Sequence, residues 1–167
     1  VKIDDRILFL KYALPCASTL VKRGVVTQEH VNSLIALVSD GEVPKEGAEN
    51  IFKIANAMCE SIAGRMGKGA VDAEVIRTYF LLEHSKVVDD RFESMKDFDP
   101  VACKTYAGKV AEVNGCFAIV ETILGKQRYK TVFAKEVKKN DNVAVHFDFI
   151  VEKISAAIAG KMNERME

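Results

Sequence analysis

The sequence predicts an α+β protein of two domains: a helical bundle over residues 1–98, then a small β-barrel with a C-terminal helix over residues 99–167. Three observations predict it. Apolar residues in the first part recur at helical spacing and are interrupted by glycine-containing turns. About five short β-type segments follow, with turn signals every ~8 to 12 residues, the spacing of a small barrel rather than a parallel sheet. The stretch 155–167 is alanine-rich and charged and reads as a short helix.

The helices can be taken in order. Ile3, Ile7, Leu8, Leu10, Leu14 and Leu20 share a helical period. Pro15 lacks an amide proton and is expected to split that helix, and Arg23-Gly24 to end it. Thr27 followed by Gln28 and Glu29 is a capping signal, with Val31, Leu34, Ile35 and Val38 on one face and Ser39-Asp40-Gly41 as the stop. Pro44 fits a first helical turn, and Ala48, Ile51, Phe52, Ile54, Ala55, Met58 and Ile62 continue an apolar stripe. Gly64, Gly67 and Gly69 break the chain, and a last helix runs from about Asp72 through Leu82. Residues 85–100 become charged and end in Asp99-Pro100. A residue before proline avoids the helical region, so the domain boundary is expected there.

The first part carries little chemistry. The glycines around Lys68 have no preceding strand and no Ser or Thr after the lysine, so they do not form a phosphate loop. His30 and His84 read as surface or packed histidines, since a metal site needs several converging ligands. No CxxC pair occurs among Cys16, Cys59, Cys103 and Cys116, and Cys16, Cys59 and Cys116 read as small buried residues.

In the second part, 108–113 reads as a strand, Asn114-Gly115 as a two-residue hairpin turn, and 116–121 as the return strand. Gly125-Lys126 is a second turn, 129–133 a strand, 139–142 a polar turn, and 143–147 a strand continued by 149–151.

Bulk properties bound the function. Apolar residues make up 49% and charged residues 29%, a globular balance. Lys+Arg and Asp+Glu both total 24, which argues against a strongly electrostatic nucleic-acid binder. No apolar run nears the ~20 residues of a membrane span, and no secretory signal is visible, so a cytoplasmic protein is expected. The chain opens on Val1, and residues upstream of it, at least a methionine, are expected.

Cys103-Lys104-Thr105-Tyr106-Ala107-Gly108-Lys109-Val110 is similar to the Met-Cys-Leu-Ala-Ile-Pro-Gly-Lys-Val opening of the HypC/HupF hydrogenase maturation chaperones, with the cysteine at the same distance from Gly-Lys-Val. The stretch 136–154 resembles the family's Glu-Val-Lys-x-Gly-Asp-x-Val-x-Val-His-x-Gly-Phe-Ala-x-Glu-Lys-Leu segment, with His146 at the histidine. The resemblance covers about 60 residues of the C-terminal domain and not the helical part. It implies an OB-type barrel and a non-enzymatic carrier or chaperone for [NiFe]-hydrogenase or a related metallocofactor. Cys103 and His146 would bind an iron fragment. Cys103, Lys104, Thr105 and Tyr106 would meet a partner, either a HypD-like maturation protein or the hydrogenase large-subunit precursor. A soft thiolate suits low-valent iron, and imidazole is a common companion ligand. The chain departs from the family in three ways. Cys103 is internal, Lys-Thr-Tyr-Ala replaces Leu-Ala-Ile-Pro, and Asn140 and Asp148 replace glycines.

Two other readings fit the same residues. An OB-type barrel could bind single-stranded nucleic acid through Tyr106, Phe117, Tyr129, Phe133, Lys126, Arg128 and Lys130. The barrel could also serve as a metal-free protein-interaction module.

Overall fold

The computed structural model describes residues 2–94 and 99–166. They form helices and one closed five-stranded β-barrel. The chain divides into two compact units, Val1–Glu83 and His84–Glu167. The sequence places a boundary at 98/99, beside residues 95–98, which lie outside the described residues. No helix among the described residues is long and apolar enough to cross a membrane.

The first unit is helical. Asp5 caps α1 (Arg6–Ala13) by accepting from the Leu8 amide at 3.0 Å. Pro15 sits in a three-residue 3-10 turn, Leu14–Cys16, that separates α1 from α2 (Ala17–Lys22), as its missing amide proton demands. At the end of α2 the Val25 amide reaches back to the Leu20 carbonyl at 3.0 Å, closing the helix around Gly24. Thr27 caps α3 (Gln28–Ser39) by accepting from the His30 amide at 3.1 Å.

The helix expected to start at Pro44 does not form there. Gly47 takes a left-handed conformation, a 3-10 turn covers Ala48–Ile51, and α4 (Lys53–Arg65) begins only afterwards. The Arg6 guanidinium occupies the irregular stretch. It donates to the Pro44 and Lys45 carbonyls and pairs with Glu49 at 2.8 Å. Asp72 caps α5 (Ala73–Arg77), which runs into a π-helical turn at Thr78–Glu83. Phe80 anchors the core of this unit, stacked on Tyr12 at 5.1 Å and edge-on to Phe9 at 5.9 Å.

The second unit opens with α6 (His84–Ser94) and a one-turn helix, α7 (Pro100–Cys103). Asp99 is extended, as a residue before proline should be, and its carboxylate accepts from the Val101 and Ala102 amides. The strands are β1 (Thr105–Asn114), β2 (Phe117–Thr122), β3 (Gly125–Lys130), β4 (Asn142–His146) and β5 (Phe149–Lys153), followed by α8 (Ala156–Met166). Their order round the barrel is β1-β2-β3-β5-β4. All neighbours are antiparallel except β3 and β5, which meet in parallel at Lys130 and Phe149. Tyr106, Val110, Val120, Tyr129, Val145 and Ile150 are among the residues that fill the interior.

Gly108 shows why the Gly-Lys-Val motif needs its glycine. A Cβ there would lie 2.4 Å from Val120 Cγ1 and 3.1 Å from the Glu121 carbonyl oxygen. Strands β1 and β2 can pack that closely only without a side chain at this position.

The turns differ from the sequence reading by a residue or two. Gly115 and Cys116, not Asn114 and Gly115, form the first hairpin, because Asn114 pairs with Phe117. Gly115 alone has positive φ, which suits a glycine-first two-residue turn. Cys116 is therefore exposed at the hairpin tip rather than in the core. The second turn is Ile123 and Leu124, since Thr122 pairs with Gly125. Strand β3 ends at Lys130. Residues 131–133, expected in the strand, turn away, with the Thr131 amide donating to the Cys116 carbonyl at 2.9 Å. Asn140 adopts φ +76, a left-handed conformation that asparagine takes more readily than most residues.

Candidate metal centre

Three elements of the second unit converge on Cys103. Helix α7 delivers the cysteine at its last position, β4 ends on His146, and α6 begins with His84. Cys103 and His84 are buried, and His146 is fully so. The Nε2 atoms of His84 and His146 each lie 2.9 Å from the Cys103 carbonyl oxygen. The two rings meet edge to face at a centroid distance of 5.0 Å.

This arrangement fixes the tautomers. A carbonyl oxygen only accepts, so each Nε2 carries the donated proton, and a neutral ring then keeps its lone pair on Nδ1. His84 is held neutral. Burial, reinforced by the neighbouring His146, pushes it down to about 3 against the opposing pull of the Cys103 carbonyl. An imidazole whose N–H rests on a backbone carbonyl is oriented as metal-bound histidines are. The Cys103 thiol and a ring nitrogen of His146 lie within 4.8 Å of one another, close enough to share one metal ion.

Thr105 adds a fourth polar side chain. It pairs with His146 across β1 and β4, so both side chains leave the same face of the sheet. Their neighbours Tyr106 and Val145 point the other way, into the barrel core. Thr105 is 1% exposed, and its hydroxyl oxygen has no hydrogen-bond partner among the described residues. Beside His146, Phe147 adopts φ +53, a strained choice for a bulky residue, and its ring lies 5.3 Å from the imidazole.

No protein-family model matches the chain, and no curated protein matches it. The site must be read from its own geometry.

Of the residues expected to meet a partner, Cys103, Thr105 and Tyr106 are buried. Lys104 is half-buried and pairs with Asp89 at 2.9 Å. Tyr106 donates its hydroxyl proton to the Val101 carbonyl at 2.7 Å, and burial with the nearby Asp99, Tyr129 and Asp89 charges pushes its hydroxyl up to about 12.

The aromatic set of the nucleic-acid reading is mostly internal. Tyr106, Tyr129 and Phe133 are buried, and half-buried Phe117 is covered by the Arg128 guanidinium at 3.7 Å. Lys68, in the glycine-rich stretch of the first unit, is held by Asp72 and Glu74. His30 is exposed, and Cys59 is buried with its thiol pushed up to about 12 by desolvation.

Sequence reasoning assigned His84 no role. It stands 19 residues before Cys103 on a helix, in no metal-binding spacing. A histidine at the head of a helix leading into an Asp-Pro-capped cysteine is visible in the sequence, but its convergence on that cysteine is a tertiary fact.

Proposed function

We propose that this protein is a non-enzymatic accessory factor of metallocentre assembly. Its substrate would be a metal fragment held between the Cys103 thiolate and the His146 imidazole. One observation carries the reading: the thiol and a ring nitrogen of His146 lie within 4.8 Å of each other, both residues are buried, and the His146 Nε2–H donates to the Cys103 carbonyl. The donor set fits a soft or borderline transition metal, and iron is the metal that the HypC/HupF resemblance suggests. Two protein ligands leave coordination positions for groups carried by the fragment itself. Five strands in the order β1-β2-β3-β5-β4 support an OB-type barrel as a domain of its own.

On this reading the receiver is a HypD-like maturation protein or a hydrogenase large-subunit precursor. Because Cys103 is buried, delivery requires the chain around α7 to open. The short helix suits that task, being a single turn with little helical stability of its own, and opening must release the Tyr106, His84 and His146 bonds to its carbonyls.

The test is anaerobic purification from cells with an active hydrogenase maturation system, followed by iron analysis and infrared spectroscopy in the cyanide and carbonyl stretching region. Stoichiometric iron with those bands is expected, and both should vanish in Cys103→Ala. A folded protein with neither would end this reading.

A further inference from the structure

Thr105 is the residue that the proposed carrier chemistry leaves unexplained. A hydroxyl at 1% exposure without a partner costs about 1–3 kcal/mol relative to one that is hydrogen-bonded. Native structures contain few such groups, and each marks strain, a functional role, or a bound species that supplies the missing bond. The position does not require a polar residue for packing. Valine has nearly the same shape, suits a strand equally well and carries no hydroxyl. The neighbours of the orphan give it meaning. It sits two residues after the cysteine, directly across from His146, and on the face that carries the imidazole rather than on the core face.

We propose that the Thr105 hydroxyl is a specificity-determining group of the Cys103–His146 centre, donating a hydrogen bond to the acceptor atom of a small anionic ligand carried on the metal. This rests on the metal-carrier reading and deepens it. The thiolate and imidazole select the metal, and the hydroxyl selects what the metal carries. A hydroxyl suits this role because its proton rotates to meet the ligand. In a buried pocket the bond is stronger than in water, because no solvent competes for it. Before loading, the hydroxyl has no partner among the described residues. Loading completes it, so binding is favoured by relief of that cost as well as by the new bond.

The role leaves a signature that a structural threonine would not. Thr105→Val should leave the metal-free protein as stable as wild type or more so, while weakening capture of the metal-bound anion. A threonine bonded within the fold would show the opposite on the first count.

The experiment loads the full chain with Co2+ under anaerobic conditions and follows the thiolate-to-cobalt charge-transfer band. Azide is then titrated as the probe anion, and metal-free melting is recorded in parallel. Wild type should show a band that depends on Cys103 and shifts on azide addition. Thr105→Val should keep the band and the Co2+ affinity, bind azide about tenfold more weakly, and melt no lower than wild type. Thr105→Ser, which retains the hydroxyl, should recover the azide affinity. Equal azide affinity in wild type and Thr105→Val would overturn the role of Thr105 while leaving the metal centre intact. A clearly lower melting point for metal-free Thr105→Val would overturn it as well, by revealing a partner within the fold. Absence of any Cys103-dependent band in wild type would instead remove the metal centre, and the role with it.

Discussion

The barrel has two outward faces built on opposite rules. Along β3, Lys126 and Arg128 point outward and are exposed, as outward residues of a small barrel ordinarily are. Where β1 begins and β4 ends, the outward residues are Thr105 and His146, which are equally polar and almost completely buried. The β3 face solvates its charges and gains little from any one of them. The β1/β4 face has removed a thiol, two imidazoles and a hydroxyl from water; both imidazoles donate to the Cys103 carbonyl, and the hydroxyl has no hydrogen-bond partner among the described residues. Burying polar groups at that cost makes sense where they act, whereas exposed polar groups require no explanation.

The contrast can be broken most forcefully at His146. His146→Ala removes a fully buried ring, leaves a cavity, and takes one of two donors from the Cys103 carbonyl. A loss of about 3 kcal/mol is expected, measured as a lower denaturant midpoint with an unchanged m-value. A loss below about 0.5 kcal/mol would mean that the buried face is energetically no different from the exposed one.

A pH series sharpens the comparison. His84 titrates near 6.5 when exposed and is pushed down to about 3 in the folded chain. Between those values the unfolded chain binds a proton that the folded chain refuses. The contribution is therefore present in full above about 6.5 and is lost as pH falls from there towards about 3, amounting to a few kcal/mol on the order of the linkage relation. Asp141 and Asp72, held below the usual carboxylate range, lose their contribution only at pH values below about 4.5, and they are shared by wild type and His84→Leu. Wild type should therefore lose stability more steeply than His84→Leu between pH 6.5 and 4.5. Parallel curves would place the His84 proton elsewhere.

How much of this was legible follows from which contacts are local. The helix caps at Thr27 and Asp72, the break at Pro15 and the extended Asp99 depend on neighbours within four residues, and the sequence announces them. The helix expected at Pro44 failed because a left-handed Gly47 and the distant Arg6 guanidinium captured that stretch. The hairpin turns slipped because register is set across strands: Asn114 pairs with Phe117 and Thr122 with Gly125. At the candidate centre, Cys103 and His146 were legible as a resemblance in motif. His84 was not, because a helix 19 residues upstream brings it to the same carbonyl only in three dimensions. Thr105 was legible as a residue and not as an orphan, since satisfaction of a hydroxyl is a property of its surroundings.

The smallest expected effect belongs to the exposed face and tests the other half of the comparison. Arg128 lies 3.7 Å above the Phe117 ring, the most conspicuous contact on β3. An exposed cation over an aromatic ring contributes about 0.5–1 kcal/mol, and its guanidinium remains solvated whether or not the ring is there. Arg128→Ala should therefore shift the denaturant midpoint by at most that amount, with no dependence on pH between 4.5 and 6.5 beyond that of wild type. It should also leave the Cys103-dependent cobalt band unchanged, because the ring that Arg128 covers, Phe117, is not a residue of the centre. A large or pH-dependent effect would show that the two faces share their energetics through the barrel wall, and the division between a solvated face and a working face would then be wrong.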